Sequence, residues 1–125
     1  MISLPGIRVG AGGAALSDAN QPERRDRPPT QVDLFVDYMC PYCRRFEKDN
    51  AADIQELVDR GVASLVMHPI AILDRLSAGS MYSTRATAAA YAVAAGAPDK
   101  FGAFNSVLFQ NQPREGTPGH TEAEL

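Results

Sequence analysis

The residues of this sequence best suited to chemistry are Cys40 and Cys43, separated by Pro41 and Tyr42. They are its only two cysteines, and they lie too close together to staple distant segments, so their use is local and chemical. The Cys-x-x-Cys spacing serves two chemistries. Structural zinc takes about four ligands; without a second such pair, only His68 and His120 are left to complete a set. His68 reads as a structural histidine closing a buried strand, and His120 falls in a polar loop, so no metal and no cofactor is expected. Redox exchange needs one ionised sulfur and a second within reach. Cys40 stands where a helix begins, and such sites lower a thiol pKa from about 8.5 into the range of roughly 3.5–7.5. Cys40 is therefore the expected attacking thiolate. Cys43 lies one helical turn on, along the same side, and suits the resolving role. Pro41 and Tyr42 adjoin both sulfurs and tune the balance between dithiol and disulfide. Tyr42 also offers an aromatic surface for substrate contact. Arg44 and Arg45 read as solvated charges and stay outside the candidate site.

The elements around the pair must position it. Val32-Asp33-Leu34-Phe35-Val36-Asp37-Tyr38 is rich in β-branched and aromatic residues and predicts a strand running straight into the cysteines. Pro41 suits the first position of a helix and Gly61 its stop, with Phe46, Ile54, Leu57 and Val58 spaced for one apolar face. Val62 to Met67 predicts a second buried strand, closed by His68-Pro69. A right-handed crossover makes the two strands parallel members of one sheet. Ala-rich sequence from about Ser80 to Ala95 predicts a helix ended by Gly96, and Pro98-Asp99 opens another through about Gln110. Thr121 with Glu122 and Glu124 reads as the start of a third. Residues 1–30 read as a flexible leader, with Ile7-Arg8-Val9 fitting a short edge strand and Gly10 to Thr30 fitting a loop. The ordered core is expected from near Gln31.

The 125 residues suit one domain, and their apolar and charged content is that of a globular chain. A net charge of −3 gives no long-range attraction to nucleic acid, and Asp26 and Glu23 interrupt the arginines at 24, 25 and 27. No apolar run approaches the roughly 20 residues of a membrane helix, so no membrane segment is expected. No signal peptide is visible at the amino terminus, and the chain as given reads as cytoplasmic or leader-less. Gly10 to Gly13 lacks the pattern of a phosphate loop, and Ser, His and acidic residues form no hydrolase motif.

VDLFVDYMCPYCRRFE, followed by a helix, a strand ending in HPIAILD, and then YSTRATAAAYAVAAG with FGAFNSVLFQNQP, resembles the DsbA-type thiol:disulfide oxidoreductases of the thioredoxin-like superfamily. The resemblance runs from about Val32 to the end of the chain. It implies an α/β thioredoxin-like fold, with a βαβ unit at 31–69 and an inserted helical region at about 80–125. The same resemblance implies an enzyme that exchanges protein dithiols and disulfides through a mixed disulfide at Cys40, with protein substrates and a redox partner, in an extracytoplasmic setting. The dipeptide Pro41-Tyr42 is also typical of glutaredoxins, but the helical insertion argues for the larger architecture.

The chain departs from that family in two places. Relatives often carry a buried carboxylate six residues before the first cysteine; Leu34 stands there, with Asp33 and Asp37 on either side, which puts acid-assisted proton transfer to Cys43 in doubt. Relatives also continue into a cis-proline loop, further strands and a final helix, which this chain lacks. Thr117-Pro118 is no substitute, since it sits in a Gly-rich loop before an incipient helix rather than before a strand. The preferred expectation is a fragment of a longer protein; alternatively a second copy or a partner supplies the missing strands, because a two-stranded sheet leaves an open edge available for self-association. Two rival functions stand beside the redox reading: a non-catalytic thioredoxin-like binding module that retains a local disulfide, and a metal-binding Cys-x-x-Cys protein.

Overall fold

The computed structural model describes residues 5–17 and 27–125. These form three strands, β1 (Ile7–Val9), β2 (Thr30–Val36) and β3 (Ala63–Pro69), and three α-helices, α1 (Pro41–Asp59), α2 (Tyr82–Gly96) and α3 (Phe101–Gln110). The sheet order is β1-β3-β2. β2 and β3 are parallel, with Val32 opposite Leu65 and Leu34 opposite Met67, as expected of strands joined through a crossover helix. β1 runs antiparallel to β3, pairing Ile7 with Met67 and Val9 with Leu65. Because side chains alternate across a strand, these pairings bring Ile7, Val9, Val32, Leu34, Val36, Leu65 and Met67 together in the hydrophobic core. The central strand β3 is buried through Leu65, Val66 and Met67, the continuous apolar run that an inner strand calls for.

The amino-terminal segment belongs to this core more fully than its Gly-rich composition suggests. Ile7-Arg8-Val9 is the short edge strand expected, but the stretch after it, expected as loop ahead of a core starting near Gln31, is fixed in place. Gln55 of α1 donates to the Gly10 carbonyl at 2.9 Å, Asp59 accepts from the Gly12 amide at 2.9 Å, and the Ala15 amide donates to the Pro98 carbonyl at 2.8 Å. Ala15 is buried. Side chains distant in sequence supply these bonds, which is why local composition does not reveal them. The remainder of the expected loop, 18–26, lies outside the described residues.

Helix α1 starts at Pro41 with Cys40 as its N-cap residue, and Gly61, at φ 73°, accepts the left-handed turn that ends it. Of the four residues expected on its apolar face, Ile54 and Val58 pack against the core. Phe46 and Leu57 remain exposed. At about 100° per residue both fall on the same flank of the stripe centred on Ile54, beyond the reach of the sheet beneath.

Helix α2 buries Tyr82, Ser83, Ala86, Thr87 and Ala90, two adjoining i, i+4 rows whose small residues permit close approach. Its first turn is capped from upstream: the Ser77 hydroxyl accepts from the Tyr82 amide at 3.0 Å, and Asp74 accepts from the amide (2.9 Å) and the hydroxyl of Thr84. Helix α3 follows a 3-10 turn at Pro98–Lys100 and buries Phe101, Asn105, Leu108 and Phe109. The expected helix at Thr121 is only a turn, in which Glu124 reaches back to the Thr121 amide at 2.7 Å. Arg85 anchors this tail through the carbonyls of Pro118 and His120, and Gly119 lies so close to Tyr82 that a Cβ would stand 2.5 Å from its ring. Among the described residues no helix is long and apolar enough to cross a membrane.

Candidate active site

The carboxyl end of β2, the turn 37–40 and the first turn of α1 converge on the two cysteines. Strand β2 turns Val32, Leu34 and Val36 toward the core, and the residues that follow it, Asp37, Tyr38 and Met39, are all buried. The chain then turns: the Cys40 amide donates to the Asp37 carbonyl at 3.0 Å, and the Cys40 carbonyl accepts the first helical bond from the Arg44 amide at 3.1 Å. Both cysteines are free thiols and half-buried. Cys40 thereby sits where the unsatisfied amides of α1 collect their partial positive charge.

Cys43, within the first turn, is held differently. Burial pushes its thiol up to about 11; a backbone hydrogen bond from Asp37 opposes that, while a hydrogen bond with Cys40 and the charges of Cys40 and Asp37 reinforce it. The two thiols thus lie near one another at the start of α1. Pro41 is exposed at the first helical position and Tyr42 is 78 % exposed, projecting from the protein beside the sulfurs. Arg44 is directed at the Gln110 carbonyl of α3, at 3.5 Å.

Several residues around the turn carry weight that their sequence positions do not advertise. Gln112, just beyond α3, donates through one amide nitrogen to the carbonyls of Tyr38 (3.0 Å) and Cys40 (2.9 Å). Tyr38 donates its hydroxyl to Asn105 at 2.8 Å, and Asn105 donates to Glu47 at 3.4 Å, a relay from β2 through α3 to α1. Burial and the Glu47 charge hold the Tyr38 phenol well above its usual range, so it remains a donor. Burial also raises the Glu47 carboxyl. The position six residues before Cys40 is Leu34, packed against the core, as read from the sequence; Asp37, three residues before Cys40, is itself buried at 1 % exposure. Gln112 was visible only as part of a helix-ending Asn-Gln-Pro run, and nothing local in the sequence signals its partners.

The histidines of the metal reading have other partners. His68 bonds Asp33 at 2.9 Å and stacks on Phe35 with ring centroids 4.4 Å apart, while His120 donates from Nε2 to the Asn111 carbonyl at 2.7 Å.

The thioredoxin family profile matches residues 26–124. Among curated proteins, the chain is 38 % identical over 101 residues to the serine/threonine-protein kinase PknE of Mycobacterium tuberculosis, an alignment covering 78 % of this chain and 18 % of the kinase. Among solved structures it superposes on reduced DsbA of M. tuberculosis with a TM-score of 0.76 at 30 % identity, covering 95 % of this chain and 59 % of that one. The reduced disulfide bond oxidoreductase DsbG of the same organism gives 0.73 at 31 % identity, covering 91 % and 53 %. The chain thus spans little more than half the length of these two proteins. The profile match, the strand-helix-strand unit that presents the two cysteines and the helical region inserted after it agree: the chain belongs to the thioredoxin family, with a thioredoxin-like fold of the kind seen in DsbA and DsbG.

Proposed function

We propose that this chain carries the redox centre of a thiol:disulfide oxidoreductase acting on protein dithiols and disulfides. The observation that carries the proposal is the placement of two adjacent free, half-buried thiols at one helix end: Cys40 at the N-cap position of α1 and Cys43 within its first turn. Cys40 is the attacking sulfur, because it stands at the N-cap position of α1, beside exposed Pro41 and Tyr42. Cys43 resolves the mixed disulfide formed there. Exposed Tyr42 supplies a surface for the substrate peptide, and Pro41 with Tyr42 sets the balance between dithiol and disulfide. The exchange requires only the two sulfurs and a redox partner to recycle them.

The test uses single cysteine variants and a peptide containing one disulfide. Reduced Cys43→Ser should accumulate a covalent adduct through Cys40, whereas Cys40→Ser should form none; adducts of equal yield in both variants would overturn the assignment.

A second reading, a thioredoxin-like module that binds without turning over, draws support from the likeness to part of a protein kinase. It is favoured if the wild-type chain forms the adduct stoichiometrically but never releases it. The outer edge of β2, opposite β3, has no strand on it among the described residues, and Phe35 nearby is 60 % exposed. This edge is where two copies of the chain would pair.

A further inference from the structure

Helix α1 is the longest described element, yet none of its 19 residues is fully buried. Its side toward α3 is open. The two helices run antiparallel, with Arg44 directed at the Gln110 carbonyl at 3.5 Å and Asn105 donating to Glu47 at 3.4 Å, both long bonds. Between the helices, over the sheet, lies a trench of about 740 Å³, a volume within the roughly 300–1,000 Å³ of small-molecule sites. Val9, Leu34, Leu65 and Met67 form its floor. Its walls are small, Ala51 and Ala52 from α1 with Gly102, Ala103 and Ser106 from α3, so no bulky side chain fills the gap. At the far end Gly102 packs on Gly13, where a Cβ would stand 3.0 Å from the carbonyl oxygen, and this contact closes the trench. The stretch of α1 from Arg44 to Gln55 makes it about 16 Å long.

Among the described residues, three charged ones line this trench: Arg44, Glu47 and Lys48. Arg44 and Lys48 stand about one helical turn apart on α1, and neither forms an ion pair among the described residues. Burial raises the Glu47 carboxyl, so it opposes an incoming anion less than a solvated glutamate would. One end of the trench is therefore positive, and an apolar floor runs away from it. We propose that the trench between α1 and α3 binds an anionic amphiphile, a carboxylate with an unbranched hydrocarbon chain, whose head meets Arg44 and Lys48 and whose chain lies over Leu34, Leu65 and Met67.

Both parts of such a ligand have a counterpart in the site. A carboxylate is a stronger acceptor for Arg44 than the Gln110 carbonyl at 3.5 Å that it replaces. A small hydrophilic anion would gain nothing from the floor and would compete with water for two exposed side chains. Width selects against a helical peptide: a volume of about 740 Å³ spread along about 16 Å is about 8 Å wide, room for one extended chain and too narrow for a helix about 10–12 Å across. The hydrocarbon chain, laid along the floor, removes apolar surface from water, which is the larger part of the affinity.

The test is titration of the chain with decanoate, and with decyltrimethylammonium as the same hydrocarbon chain bearing the opposite charge, followed by backbone amide NMR. Decanoate should saturate one site, shift the amides of Ala51, Gly102 and Ser106, and bind at least about tenfold more tightly than decyltrimethylammonium. Arg44→Gln and Lys48→Gln together should weaken decanoate about tenfold and leave the unfolding temperature in place. Ala103→Leu, which narrows the trench from the α3 side, should weaken decanoate as well. No saturable binding, equal affinity for the two amphiphiles, or a folded double variant that binds decanoate as the wild type does would overturn the proposal. Shifts centred on Phe35, on the opposite face of the sheet, would overturn it too. Should the double variant fail to fold, the comparison of the two amphiphiles on the wild type decides. Neither sulfur takes part, so this outcome is separable from the adduct test of the oxidoreductase assignment.

Discussion

Cys43 ties stability to pH through its proton. A thiol of this kind ionises near 9.0 when unperturbed, and in the folded chain Cys43 is pushed up to about 11, chiefly by burial. Between those values the folded state binds the proton more tightly than the unfolded chain. Its contribution is therefore fully present below pH 9.0 and is lost as pH rises through that window. Tyr82, raised by burial to about 12, adds a loss of the same sign at higher pH. Urea unfolding of the reduced protein across this window should show falling stability, and the Cys43→Ala difference curve should be flatter between pH 9.0 and about 11. A slope identical in both proteins would mean that Cys43 is solvated in the folded state. The same residue thus ties the pH dependence of stability to the first turn of α1.

At the scale of elements, close backbone contact matters as much as side-chain burial. Gly102 lies in the first turn of α3, where replacing glycine by alanine ordinarily gains about 1 kcal/mol of helix stability. Here a Cβ would stand 3.0 Å from the Gly13 carbonyl oxygen and 3.1 Å from its Cα. The turn containing Gly13 cannot retreat easily, because Gln55 and Asp59 of α1 hold it. Gly102→Ala should therefore destabilise the chain by about 1–3 kcal/mol, read as a lower urea midpoint; a raised midpoint would show that the turn yields. This contact also marks a limit of sequence reading. Strand β2, helix α1 and strand β3 were legible, because their alternation, their 3.6-residue period and the punctuation by Pro41 and Gly61 are local signals. Helices α2 and α3 were legible for the same reason. The locking of Gly10–Ala15 and the burial of Asp37 were not, since Asp37 binds partners 36 and 46 positions away. The placement of Cys40 and Cys43 at the start of α1 was legible, while Gln112 and Ser83, which hold the turn before them, were hidden by the same sequence distance.

Over the whole molecule, the sheet is protected unevenly. β1 closes one side of β3, whereas β2 presents an outer edge with no strand on it among the described residues and an exposed Phe35 stacked on His68. Edge strands of this kind template pairing with another chain, and a charge placed on them discourages it. Phe35→Lys should shift any monomer-dimer equilibrium toward monomer in sedimentation velocity over a range of concentrations. A wild-type chain that sediments as a monomer throughout would remove the pairing proposal. The charge of −3 is too small to keep two copies apart at moderate salt, so packing and not repulsion decides the outcome.

The ties around the turn before the two cysteines have a consequence for how the proposed exchange could be silenced. Side chains or amides at Leu73, Ser83 and Gln112 hold Asp37, Tyr38 and Cys40, and all of them come from the stretch that follows β3. Loosening that stretch would leave both sulfurs in the chain and the sheet still paired, yet would free the turn that aims one sulfur at the other. Reactivity would then fade before the fold does, as a misaligned joint fails while both of its arms stay sound. Hydrogen exchange at the amides of Met39 and Leu73 would register that slackening ahead of global unfolding.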